Sequence, residues 1–241
     1  LLLLVTNLGK GALPAADLAL LPESFFNGFR FDTSISCYLL AIPFIITSFG
    51  MLLRALRNFF FRFSYYLLLL FYLIAIFICC ADIPYFNHFG SHITVAALNW
   101  ADSPLFMVRM ILGTFSFWVY IIPLVMLCRW FSSKIEFEKE VAISRMAENS
   151  SLFSFSSLLY LLLIPPFLFL GMRGRIAQKS PMLTGTAYFC DNNFINQLGL
   201  NAVFTFMTSA LESMRPENRR LHLMDDELAI KNVKMYLNSG E

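Results

Sequence analysis

The chain has 241 residues, 58% hydrophobic and only 14% charged, with a formal charge of +2 and a mean hydropathy of +0.64. Soluble domains carry about 25% charged residues, so this composition excludes a water-soluble globule, and the 27 phenylalanines exclude a disordered chain. A net charge this small gives no electrostatic footprint for nucleic acid. The expected fold class is all-α: a polytopic helical membrane bundle with juxtamembrane amphipathic helices.

In chain order, residues 1–8 are apolar and read as the end of a span whose start is missing, because no charged region or cleavage site of a signal peptide precedes them. Four complete spans are expected at 33–53, 64–81, 110–128 and 152–172. At about 1.5 Å per residue each covers roughly 27–32 Å, the thickness of the hydrocarbon core. Pro43, Pro123 and the pair Pro165-Pro166 fall inside three of them, which membrane helices tolerate when neighbours satisfy the freed carbonyls. Residues 1–172 thus form a transmembrane domain and 173–241 a juxtamembrane linker. In the linker, Asn201 caps a helix with Val203, Met207, Ala210, Leu211 and Met214 on one face, broadened by Phe204 and Phe206. Asp225, Asp226 and Glu227 open a second helix with Ile230, Val233 and Leu237 as its stripe. Either the membrane surface or a further domain would cover these faces.

Orientation follows from the basic residues. Arg54, Arg57 and Arg62 sit in one short link, and Arg129, Lys134, Lys139 and Arg145 sit in another, whereas 82–104 contains no Lys or Arg. The positive-inside rule puts both basic links in the cytoplasm and 82–104 outside, so span parity sends the C-terminal segment outside as well. Arg173, Arg175 and Lys179 run against that trend, but distal segments translocate largely regardless of charge.

No catalytic constellation is present: no H-E-x-x-H, no G-x-S-x-G, no phosphate loop and no dinucleotide fingerprint. The five cysteines form neither a disulfide framework nor a C-x-x-C pattern and read as small apolar side chains. His88 and His92 are four apart, yet Gly90 separates them and no carboxylate completes a ligand set; they read as interfacial histidines. Catalytic and metal-ligating residues are therefore expected to be absent. The outer edge of the bundle is richer. Arg30 and Asp32 precede the second span, Asp82 ends the third and Arg109 starts the fourth. Ionisable groups at membrane depth pair with one another or line a wet cavity. Either these four form ion pairs that fix helix ends, or they make a polar vestibule whose cations, with Arg173 and Arg175, hold a phospholipid headgroup.

At this point the residues resemble a known family. Gly28-Phe-Arg-Phe-Asp32 precedes a span and Ala81-Asp-Ile-Pro-Tyr-Phe86 follows one. Arg173-Gly-Arg175 leads to Thr186-Ala-Tyr-Phe189, Asn192-Asn-Phe-Ile-Asn-Gln197 and Asn201-Ala-Val-Phe204. In this order they resemble the membrane domain of lipoteichoic-acid-synthase-like sulfatases and phosphoglycerol transferases of the alkaline phosphatase superfamily. The resemblance runs from about Phe25 to the end of the sequence. It implies five membrane helices and a surface linker followed by an extracytoplasmic α/β domain, where a metal-bound Thr, Ser or modified Cys attacks a phosphate or sulfate ester. No nucleophile or metal ligand carries over, because those positions lie beyond Glu241. The resemblance implies no cofactor in this chain and a divalent metal in the catalytic domain. It also implies an anchor and lipid-access role in a bacterial cytoplasmic (inner) membrane, with membrane lipids and other membrane subunits as partners. The chain alone is expected to hydrolyse or transfer nothing. A small transporter subunit, or a structural subunit of an envelope complex, is the alternative; against the former, no span is charged at its centre and no two halves echo each other.

Overall fold

The structure is a computed structural model that describes residues 3–4, 15–53, 56–102, 109, 113, 115–148, 155–175, 181–215 and 224–238. The described residues are all-α. A 3-10 turn at Ala15–Leu20 leads into α1 (Leu21–Leu52), followed by α2 (Arg57–Phe89), a second 3-10 segment at Val95–Asp102, α3 (Phe115–Glu148) and α4 (Phe155–Arg173). The juxtamembrane part holds a 3-10 turn at Thr184–Ala187, then α5 (Asn193–Leu198), α6 (Ala202–Ser213) and α7 (Asp226–Asn238). Three helical stretches are long and apolar enough to cross a membrane: Asp17–Leu52, Arg57–Phe89 and Trp118–Ala142. The chain is a multi-pass membrane protein by that measure. The fourth apolar stretch, Leu158–Arg173, is shorter.

The helices outrun the apolar stretches from which they are expected. α1, α2 and α3 have 32, 33 and 34 residues, about 50 Å each against a core of about 30 Å. α1 begins well before Thr33, and α2 continues past Ala81 to Phe89, carrying Asp82 and Pro84 within it. α3 does not end at Arg129 but continues through the basic link to Glu148. Residues 1–2, 5–8, 110–112, 114 and 152–154 of the expected spans lie outside the described residues. The prolines at 43, 84, 123, 165 and 166 all sit inside continuous helices.

α2 packs between α1 and α3, and α4 packs on the other side of α1. Gly50 lets the α1–α2 turn close tightly, because a Cβ there would meet Phe60 Cβ at 2.8 Å. Across that interface the Ser64 hydroxyl donates to Pro43 O at 2.8 Å. Gly171 does the same between α4 and α1, where a Cβ would run into Cys37 Sγ. Three contacts set the antiparallel register of α2 and α3. The Asn87 amide reaches Tyr120 OH, the Tyr72 and Phe131 rings stack at 5.2 Å, and Lys139 Nζ lies 4.6 Å above the Tyr65 ring.

The densest packing is at the bundle end that holds the start of α1 and the end of α2. Phe31, fully buried, meets Phe204 of α6 edge-on at 4.8 Å, and Ile35, Ala75, Met182, Ala187, Leu200 and Val203 close the cluster around them. Asn201 caps α6 by accepting from the Phe204 N–H, as its sequence position predicts. Only the first part of the expected α6 stripe is covered: Val203 and Phe204 are buried, whereas Leu211 and Met214 are exposed. On α7, Ile230, Val233 and Leu237 are all exposed.

Candidate functional site

Most of the buried polar side chains gather at this same end: Ser24, Asn27, Ser34, Asp82, His92, Asn196 and Gln197. Gly90 is the reason His92 joins them. It ends α2 in the left-handed conformation (φ 70°), its N–H returning to Phe86 O at 2.8 Å, and the chain then doubles back so that His92 faces Asp82. His92 Nδ1 lies 2.7 Å from Asp82 Oδ2, and the other carboxylate oxygen accepts the Ile93 N–H at 2.7 Å. His92 Nε2 meets Gln197 O at 2.8 Å. Asp82 is 2% exposed and His92 3%. Each ring nitrogen therefore faces an oxygen at hydrogen-bond distance, a carboxylate on one side and a backbone carbonyl on the other. Both nitrogens are engaged by protein partners. His92 is thus a buried cross-link and not the interfacial histidine its sequence position suggests, whereas His88 is exposed.

The network continues into α5. Gln197 Nε2 donates to Tyr188 OH at 2.8 Å, and Ser24 Oγ donates to Ile195 O at 2.8 Å. Asn196 organises the preceding loop: its Oδ1 accepts the N–H groups of Phe189 and Cys190, and its Nδ2 donates to Cys190 O at 2.6 Å. Asn192 caps α5 and donates to Asp17 Oδ2 at 2.7 Å. These bonds tie 188–197 to the starts of α1 and of the 3-10 turn before it, far away in sequence.

The residues expected to pair at the outer edge take other partners. Arg30 Nε and Nη2 both donate to Gly174 O, at 3.2 and 3.0 Å, and Nη1 donates to Asn27 Oδ1 at 3.1 Å. Gly174, left-handed at φ 66°, has just closed α4 with its N–H, so its carbonyl is available to a guanidinium. Asp32 accepts from Asn201 Nδ2 at 2.7 Å, and Asp82 is taken by His92. Arg109 is exposed. Among the described residues, the ion pairs are His92–Asp82 and Lys139–Glu136, so the expected Arg–Asp pairs among these four are not formed. Of the expected lipid-binding residues, Arg30 stands beside α4 at the turn that Arg173, Gly174 and Arg175 build. Arg175 Nη2 holds Thr186 Oγ1 at 2.9 Å. Ser34 Oγ, one turn along from Arg30, donates to Met172 O at 3.0 Å.

Sequence reasoning placed Asp82, Arg30 and Asp32 at this end but missed His92, Gln197, Asn196 and Ser24. Asn196 and Gln197 lie within a motif of the resemblance, and that was the available signal; Ser24 had none. Among the described residues no group of three or more His, Cys, Asp or Glu is placed to hold a metal ion. No family model, no curated protein and no solved structure matches this chain.

Proposed function

We propose that the chain is the membrane anchor and lipid-access domain of an extracytoplasmic enzyme acting on phosphate or sulfate esters, of the lipoteichoic-acid-synthase-like kind. In this reading it lies in a bacterial cytoplasmic membrane, with four complete spans and the end of a fifth, and its C-terminus is extracytoplasmic. One observation supports it above others. The segment 181–213 is bolted to the mouth of the bundle by its bonds to Ser24 and Asp32 of α1 and to His92 just beyond α2, as a linker that positions a following domain requires. Arg30 reaches the end of α4, the segment that carries Arg173 and Arg175, and guanidinium groups suit a lipid phosphate. Asp32 and Asp82 act there through the bonds they make to Asn201 and His92. The divalent metal implied by the resemblance would belong to the catalytic domain, since among the described residues no group of three or more His, Cys, Asp or Glu is placed to hold it.

The reading is tested first by the coding sequence beyond residue 241. An in-frame α/β domain with a nucleophile and metal ligands supports it, and a stop codon there removes it. In the full-length parent, Arg175→Gln is expected to lower turnover of a lipid ester about tenfold, the value of one charge-assisted contact, and turnover of a soluble ester less. An equal fall in both refutes a role in lipid handling.

A further inference from the structure

A different part of the bundle carries an independent inference, which needs only that the helices cross a membrane. The register of α2 and α3 places Arg129 beside Leu73, within the apolar stretch 64–81 and not at its edge. Between the two helices is an open groove of about 340 Å³ lined by Leu73, Cys128, Arg129, Ser132 and Ser133. Arg129, Ser132 and Ser133 are spaced i, i+3, i+4 and so share one face of α3. Further along the helix, Lys139 is balanced by Glu136 at 3.2 Å and by the Tyr65 ring. No described carboxylate pairs with Arg129. On the adjoining face Met126, Trp130 and Phe137 are strongly exposed, a surface for acyl chains.

A guanidinium at that depth needs an anion or water, because an uncompensated charge in hydrocarbon is costly. Apolar surface flanks the polar strip on both sides, Leu73 on one and Met126 and Trp130 on the other, which favours an anion that brings its own apolar tails. We propose that the α2–α3 groove binds an anionic phospholipid, with its phosphate on Arg129 and the Ser132 and Ser133 hydroxyls. The guanidinium forks two N–H donors onto the phosphate oxygens, the hydroxyls donate to a third, and the acyl chains lie along the exposed face of α3.

The test counts retained lipid by native mass spectrometry after release of the full chain from nanodiscs of phosphatidylcholine with a minority of phosphatidylglycerol. The wild type is expected to keep one phosphatidylglycerol in preference to phosphatidylcholine. Arg129→Gln should reduce that preference about tenfold, and Ser132→Ala with Ser133→Ala about threefold. Arg62→Gln, an exposed arginine of α2 outside the groove, should leave it unchanged. The paired serine variants keep the arginine and serve if Arg129→Gln does not fold. Undiminished preference in Arg129→Gln overturns the proposal, as does an equal loss in Arg62→Gln, which would mean general attraction of anionic lipid. Displacement of the lipid by millimolar inorganic phosphate would overturn the lipid as the source of the anion.

Discussion

Replacing His92 by Ala removes one side chain and disturbs three segments at once. Asp82, 2% exposed, would keep only the Ile93 N–H, and Gln197 O would lose its donor. Breaking a buried ion pair from one side costs about 3–5 kcal/mol, mostly for the charge left behind. That cost falls on the docking of 188–213 onto α1 and α2, since His92 is a direct bond between the end of α2 and α5. At about 1.4 kcal/mol per decade, the population of undocked segment should rise about a hundred- to a few thousandfold. Amide hydrogen exchange in detergent micelles reads this directly: protection in α5 and α6 should fall by that factor while the middles of α1 and α2 keep theirs. Asp82→Asn makes the contrast. An Asn can still accept from Ile93 N–H and donate to a neutral imidazole, which in turn donates to Gln197 O, so every group stays bonded at a cost of about 1–2 kcal/mol. Exchange in α5 and α6 of His92→Ala within about threefold of the wild type would refute the cross-link as what holds the segment.

Three further outcomes are expected. Asn196→Asp should lower the melting temperature more than the loss of one neutral bond would, because a carboxylate cannot donate to Cys190 O and places a charge where the side chain is 3% exposed; thermal unfolding of the two proteins decides it. Gly171→Ala should loosen α4 from α1, and the added Cys37→Ala should recover part of the loss; a double-mutant cycle in thermal stability with no coupling would refute their close approach. In a background without native cysteines, an impermeant maleimide applied from outside should label Cys introduced at positions 90 and 218 but not at 58 or 134, and labelling at 58 without 218 would reverse the topology.

The bundle itself was legible because apolar runs at membrane length have few other uses. Caps were legible too: Asn201 and the acidic start of α7 act over three or four residues, and a local signal survives any fold. The helix lengths were not. Asp82 and Pro84 look like the end of a span, yet α2 runs on because His92 and the Ile93 N–H satisfy the carboxylate and the bundle carries the rod past the apolar core. Nor were the partners of the charges. Opposite charges at one membrane face suggest ion pairs, but Arg30 finds a carbonyl exposed by the end of α4, 144 residues away. Such a bond depends on where Gly174 turns the chain, which no spacing near Arg30 encodes. His92 and Asp82 are only ten residues apart, but their meeting required knowing that Gly90 would reverse the chain between them.

The bonds that fix 181–213 to the bundle also restrict where anything carried beyond α6 can go. A load on a floppy tether samples a hemisphere whose volume grows with the cube of its reach, and its encounters with a target in the bilayer thin accordingly. The direction in which the chain leaves Ser213 is instead set by Asn201 on Asp32 and by Phe204 against Phe31, both on α1. A load held in that way sweeps a narrow cone at constant height above the lipid, and its effective concentration at the membrane surface rises as the cone narrows. Loosening the cross-links would then act as dilution, slowing encounters with membrane targets while leaving untouched any reaction with a freely diffusing one.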